Sequence, residues 1–253
     1  MTDRVVRIFS EPDQLAMAGA DQFGALAGAA ISARGRFGVA FSGGSTPRAM
    51  FRLLSAEPYR TAIGWAKLDV FWSDERAVPH DDPQSNYRMA SESLLSQVPV
   101  LPDHVHRMPA DREPLDAAAN EYAAQITNAL GAGPSGTPRF DLIMLGMGGD
   151  GHTASLFPET EALDERQRLV ASNYVPKLDA RRMTFTPKLI NAAANVLFLV
   201  AGQDKSDALK AVIEGPREPR RFPAQLVAPA DGILYWYVDE AAASRLRPRG
   251  SRQ

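Results

Sequence analysis

The stretch Gly38–Leu54, GVAFSGGSTPRAMFRLL, decides how the rest of the chain is read. Gly38–Phe41 is apolar enough to be a strand covered on both faces, and two glycines then turn the chain. Thr46 suits the N-cap of a following helix and Pro47 its first position. Within that helix, expected over Pro47–Ala56, Met50, Leu53 and Leu54 fall on one face. A strand that passes through a tight turn into a helix is the repeating unit of parallel α/β folds. The alternation continues outward. Val5–Phe9, Leu68–Trp72, Phe140–Leu145, Val196–Ala201 and Ile233–Val238 read as further strands, and Arg182–Thr186 as a short one. Helices are expected over Pro12–Ala33, Asn86–Gln97, Leu115–Leu130 and Lys205–Glu214. The class is α/β with a mostly parallel sheet. Gly131–Pro138 (GAGPSGTP) reads as a surface loop rather than a linker, so residues 1–253 are expected to form one domain with a frayed tail over about 244–253.

With 253 residues, 45% of them hydrophobic, the chain has material for a sizeable core. Lys and Arg number 28 against 30 Asp and Glu, which argues against a general nucleic-acid binder. A small anion, needing only a few focused cations, stays compatible with that balance. No apolar run approaches the roughly 20 residues needed to cross a bilayer, so no membrane partner is expected. The start, MTDRVVRIFSEPDQ, has no small-residue cleavage pattern, and a cytoplasmic location is expected. The cysteine count is 0, which removes disulfides, thiolate catalysis and Cys-type zinc sites together.

Four segments carry candidate chemistry. In the first, Gly43, Gly44, Ser45 and Thr46 combine close backbone approach, hydroxyls and a helix N-terminus, the makings of a phosphate cradle. It is no Walker loop, because no GK[ST] follows. The second, Phe71–Ala90, sets Asp74, Glu75 and Arg76 after a strand end, where open α/β sheets hold ligands; a solvated charged loop is the alternative. The third, Phe140–Pro158, matches GxGxxG at Gly146, Gly148 and Gly151. Asp150 would repel a pyrophosphate there, and Pro158 stands too close for a long helix, so a dinucleotide site is rejected. What remains is Asp150-Gly151-His152, a general base with a carboxylate to orient it. The fourth supplies Arg182 and Lys205, two cations for a phosphate dianion. His104 and His106 lack a further ligand at convincing spacing, and no metal site is expected. Ser42 and Ser45 sit in no G-x-S-x-G elbow and make poor nucleophiles.

Taken together, SGGSTP, WSDERAVPHDDPQSNY, LGMGGDGHTASLFP, RMTFTPKLIN with GQDK, and the closing FPAQLVAPADGILYWYVDEAA resemble the 6-phosphogluconolactonase family in its own motif order. The resemblance implies a Rossmann-like three-layer sandwich, similar to glucosamine-6-phosphate deaminase. It also implies cofactor-free hydrolysis of 6-phospho-D-glucono-1,5-lactone in the oxidative pentose phosphate pathway, with a phosphorylated sugar lactone as partner and no obligate protein partner. Carried over, the catalytic residues are His152 and Asp150. The substrate-binding residues are Gly43, Gly44, Ser45, Thr46, Asp74, Arg76, Arg182 and Lys205. The oxyanion donor is left between Arg76 and the N–H groups of Gly148–Gly151. The alternatives are a glucosamine-6-phosphate deaminase-like isomerase and a non-catalytic sugar-phosphate sensor. DGH followed by Leu156-Phe157-Pro158, and DER at Asp74–Arg76 in place of the deaminase-type DEY, favour the lactonase.

Overall fold

The computed structural model describes residues 3–247. Among the described residues there are nine strands: β1 (Asp3–Phe9), β2 (Phe37–Phe41), β3 (Leu68–Trp72), β4 (Asp74–Arg76), β5 (Leu142–Leu145), β6 (Val170–Val175), β7 (Ala180–Phe185), β8 (Asn195–Val200) and β9 (Ile233–Asp239). The α-helices are α1 (Pro12–Arg34), α2 (Ser45–Leu54), α3 (Tyr59–Ala62), α4 (Asn86–Ser93), α5 (Leu115–Leu130), α6 (Pro187–Ile190), α7 (Ser206–Glu214) and α8 (Glu240–Ala243). Six strands form one sheet in the order β1-β9-β8-β5-β2-β3, every neighbouring pair parallel. Its inner strands are near-continuous apolar runs, and β2 and β5 are buried along their whole length, as strands sandwiched between helices must be.

Right-handed crossovers sort the helices. The connections from β1 to β2 and from β2 to β3 run one way across the sheet, so α1, α2 and α3 share a face, and α1 packs on α2. The returns from β3 to β5 and from β8 to β9 run the other way, which assigns α5 and α7 to the opposite face. The chain thus leaves β2 toward β3 on one side, and leaves the neighbouring β5 toward β8 on the other. The loops after β2 and β5 diverge, and a crevice opens at the carboxyl ends of the strands.

A second, antiparallel sheet, β4-β7-β6, is additional to the expected architecture. Asp74, Glu75 and Arg76 pair with Thr184, Met183 and Arg182, so the charged segment is a strand and not a solvated loop. Most other elements differ from their expected bounds by only one or two residues, and three helix boundaries bear on the site. Helix α2 begins at Ser45 with Gly44 as its cap, at φ 115°, and no hydroxyl caps it. The left-handed glycine turns the chain into the helix before Thr46 is reached, so Thr46 is not the N-cap. Helix α4 ends at Ser93, and a separate 3₁₀ turn covers Leu95–Gln97. Lys205 closes a 3₁₀ turn ahead of α7. Of the tail expected to fray, residues 244–247 are tied down: the Arg245 carbonyl accepts from Lys210 Nζ at 2.9 Å, and Arg247 N–H donates to Glu214 at 2.8 Å. The rest of that segment lies outside the described residues.

Candidate active site

Three loops leave the carboxyl ends of adjacent strands β8, β5 and β2, and the second sheet walls the space they enclose. The resulting cleft holds about 260 Å³ and is lined by Gly43–Thr46 after β2, Gly146–Gly148 and His152 after β5, and Lys205 after β8. Asp74 and Arg76 of β4 and Arg182 of β7 complete it. Every expected site residue except Asp150 therefore faces one cavity, and Asp150 stands behind His152.

The loop after β2 presents donors because of how α2 starts. The first N–H groups of a helix have no partner within it, and Gly44 supplies no capping side chain. The Ser45 and Thr46 N–H groups and hydroxyls therefore remain available beside the cleft, with the positive end of the helix dipole behind them.

The loop after β5 carries the dyad. His152 Nδ1 and Asp150 Oδ1 are 2.5 Å apart, and Asp150 also accepts from the His152 backbone N–H at 3.3 Å. Asp150 Oδ2 accepts from Lys177 Nζ at 3.1 Å. The imidazole hydrogen bond holds the Asp150 carboxyl well below the usual carboxylate range; partial burial opposes this, and the charge of His152 and the Lys177 bond add to it. An ionised Asp150 fixes the tautomer with the proton on Nδ1 and leaves Nε2 as the basic nitrogen. Two further contacts hold the ring. It stacks on Phe157 with centroids 4.0 Å apart, and it lies over Gly148, where a Cβ would come within 2.2 Å of ring atoms. No helix follows Gly151. Instead Thr153–Leu156 makes a tight turn closed by Leu156 N–H to Thr153 carbonyl at 2.9 Å, with Ala154 in the left-handed region at φ 47°. The glycines of the Gly146–Gly151 loop therefore lead into this turn and not into a helix N-terminus. Two of the loop's N–H groups are already used: Gly148 donates to the His152 carbonyl and Gly151 to the Gly148 carbonyl.

The wall from the second sheet is a buried polar network. Asp74 Oδ2 accepts from Ser155 Oγ at 2.7 Å, and its carbonyl accepts from Asn86 Nδ2 at 2.9 Å. Glu75 accepts from the N–H groups of Asn86 and Tyr87, each at 2.8 Å, from Arg76 N–H at 2.9 Å and from Ser85 Oγ at 3.1 Å, so it secures the start of α4. Burial nonetheless pushes the Glu75 carboxyl up, against those donors. Arg76 and Arg182 face each other across the β4–β7 pair, and the Nε of each is buried without a partner. Burial depresses the basicity of the Arg182 guanidinium; Asp74 opposes that and Arg76 adds to it. Two crowded guanidiniums with spare donors are poised for an anion or a developing negative charge.

Sequence reasoning missed Asn86, Ser155, Phe157 and Lys177. Asn86 lines the cleft from the first position of α4, and its signal was the Ser85–Asn86 pair opening a helix. Lys177 had no local signal, since it reaches Asp150 only through the β6–β7 hairpin. His104 Nδ1 and His106 Nε2 lie 3.1 and 3.2 Å from Asp69 Oδ1, away from the cleft. Among the described residues no group of three or more His, Asp or Glu side chains has a metal-holding arrangement.

Comparison with known proteins agrees over nearly the whole chain. A family model described as glucosamine-6-phosphate isomerases/6-phosphogluconolactonase matches residues 10–236. A 6-phosphogluconolactonase of Synechocystis is 41% identical, across 87% of this chain and 88% of its own. A probable 6-phosphogluconolactonase of Oryza sativa subsp. indica is 37% identical, across 95% and 89%. Among solved structures, the 6-phosphogluconolactonase from Trypanosoma cruzi superposes with a TM-score of 0.86 at 27% identity, covering 97% of this chain and 98% of that one.

Proposed function

The chain belongs to the glucosamine-6-phosphate isomerase/6-phosphogluconolactonase family, and from that premise we propose that it hydrolyses 6-phospho-D-glucono-1,5-lactone to 6-phospho-D-gluconate. The single observation that carries the chemistry is His152, hydrogen-bonded through Nδ1 to an ionised Asp150, with Nε2 left as its basic nitrogen in a cleft rich in cations. A δ-lactone is an activated ester that already hydrolyses in water, so positioning and proton transfer suffice. His152 Nε2 takes a proton from water as its oxygen attacks C1. Asp150 stabilises the imidazolium that forms. The imidazolium then returns the proton to the ring oxygen as the C1–O5 bond breaks, giving a carboxylic acid and a free hydroxyl with one water consumed; the acid then loses its remaining proton to solvent as the carboxylate. For the oxyanion at C1, Arg76 is favoured over the Gly148 and Gly151 N–H groups, which are spent within the loop. Gly43–Thr46, Arg182 and Lys205 hold the phosphate, a group whose charge does not change during reaction. Asp74, fixed by Ser155 and Asn86, takes sugar hydroxyls. Among the described residues the His152 ring has Asp150 as its polar partner and not Ser42 or Ser45, which fits attack by water rather than by serine.

Cytoplasmic residence belongs to the same proposal, since the lactone arises where glucose 6-phosphate is oxidised; no helix among the described residues is long and apolar enough to cross a membrane. To test the activity, the lactone is generated in situ with glucose-6-phosphate dehydrogenase, and 6-phosphogluconate is followed through its NADP-linked dehydrogenase. Product should form well above the spontaneous rate. A rate equal to the blank, or ammonia release from glucosamine 6-phosphate, would overturn the reading.

A further inference from the structure

Asp150 has two charged neighbours, and the mechanism uses only one of them. Its Oδ1 meets His152, while its Oδ2 is held by Lys177 Nζ at 3.1 Å. Lys177 sits on the 3₁₀ turn Pro176–Leu178 that joins β6 to β7. The tip of that hairpin is braced by its own bonds: Asp179 N–H donates to the Pro176 carbonyl at 3.1 Å, and Tyr174 OH donates to Asp179 Oδ1 at 2.7 Å. The backbone bearing the lysine is therefore fixed, although the side chain is 71% exposed. An exposed ion pair of this kind contributes little to stability. Its place is what gives it consequence. It ties the antiparallel sheet to the catalytic loop and occupies the carboxylate oxygen that the imidazole does not use.

We propose that Lys177 is a positioning residue for the general base: it holds Asp150 in the orientation that serves His152 Nδ1, and its positive charge keeps the His152–Asp150 dyad in the neutral-imidazole form at lower pH. The proposal rests on the lactonase reading given above. The charged groups around the dyad are Lys177 from the hairpin and Arg182, whose guanidinium carbon lies 5.4 Å from the centroid of the Phe157 ring on which His152 stacks. Arg76 and Lys205 share the cleft with His152. Asp204 is paired to Lys205 at 2.7 Å, and Arg221 lies on the segment beside Gly151, paired with Glu218 at 3.7 Å. Of these, only Lys177 touches the Asp150 carboxylate, so its removal changes the dyad's field most directly.

The sign follows. Without the ammonium, the Asp150 carboxylate acts unopposed on the imidazole and favours its protonated form. The base is then lost at a higher pH than in the wild-type protein. The acid limb of kcat/KM should move upward by about half a pH unit in Lys177→Ala, a size set by one charge a few ångströms away near a wet surface. Lys177→Glu should move it further the same way, and Lys177→Arg should restore the wild-type limb. The experiment measures kcat/KM against pH for these proteins with the lactone, subtracting spontaneous hydrolysis, at low and at high salt. NMR titration of the His152 ring in wild type and Lys177→Ala gives a readout independent of turnover. The proposal expects parallel shifts in both measurements that shrink in high salt. Superimposable limbs and titrations for all four proteins would overturn it. So would a raised KM with an unmoved limb, which would make Lys177 a substrate ligand. An inactive wild-type chain whose His152 titration still responds to Lys177 would instead refute the activity and leave the electrostatic coupling standing.

Discussion

His152 and Lys205 divide the labour of the cleft at the scale of single side chains. In the proposed mechanism His152 acts on the proton that moves in the transition state, whereas Lys205 holds a phosphate remote from C1. Replacing His152 with Ala should lower kcat by about 10²–10⁴-fold with KM little changed, the usual contribution of a general acid–base group. Lys205→Ala should chiefly raise KM, because binding that is uniform through the reaction contributes to affinity and not to turnover. Steady-state kinetics on folded variants, with the spontaneous rate subtracted, checks both. Near-normal kcat in His152→Ala would remove the base assignment. Unchanged KM with crippled kcat in Lys205→Ala would move that lysine to the reacting centre. The Asp150–His152 pair was legible because both residues lie on one short loop, where sequence distance and spatial distance nearly coincide. Asn86, Ser155 and Lys177 were not, because each meets its partner only after distant segments pack: Ser155 reaches Asp74 and Lys177 reaches Asp150 across separate strands.

Elements were legible to the degree that their signals are local and apolar. Strand β3 and helix α5 have the expected bounds, Leu68–Trp72 and Leu115–Leu130, since a buried run or an amphipathic face declares itself within one segment. Strand β4 did not, because its three residues are polar and their burial depends on partners elsewhere. Glu75 can be buried, at 4% exposure, only because α4 brings two N–H groups and Ser85 brings a hydroxyl to it. The α2 start was displaced for a different reason, a left-handed glycine outcompeting a side-chain cap. The Glu75 arrangement predicts a structural cost. Glu75→Ala leaves the N–H groups of Arg76, Asn86 and Tyr87 without their acceptor, and each buried orphan costs about 1–3 kcal/mol before water relieves it. Unfolding in denaturant should show a loss of about 2–4 kcal/mol, with reduced turnover as Asn86 leaves the cleft wall. A stability within about 0.5 kcal/mol of wild type would mean that the start of α4 is secured by something other than this carboxylate.

The whole molecule places its chemistry where the chain reverses direction across the sheet. The loop after β5, bearing His152, lies between the loop after β2, bearing Gly43–Thr46, and the loop after β8, bearing Lys205. The antiparallel sheet adds Arg76 and Arg182 as a wall; of its strands only β7 was legible, as Arg182–Thr186, because β4 is three polar residues and the pairing of β7 with β4 and β6 joins distant segments. The proposed reading gives the substrate two handles in this cleft: a phosphate for the cations and helix N-terminus, and an ester carbonyl for the dyad. The central claim is that both handles are used at once, and it is tested most directly by comparing kcat/KM for 6-phosphogluconolactone with that for unphosphorylated gluconolactone on the same wild-type protein. Charge-assisted hydrogen bonds contribute about 1.5–3 kcal/mol each, and loss of two of them corresponds to a preference of about 10²–10⁴-fold for the phosphorylated lactone. Comparable values for the two lactones would contradict the account, because the cations and the Gly43–Thr46 cradle would then have no phosphate to hold.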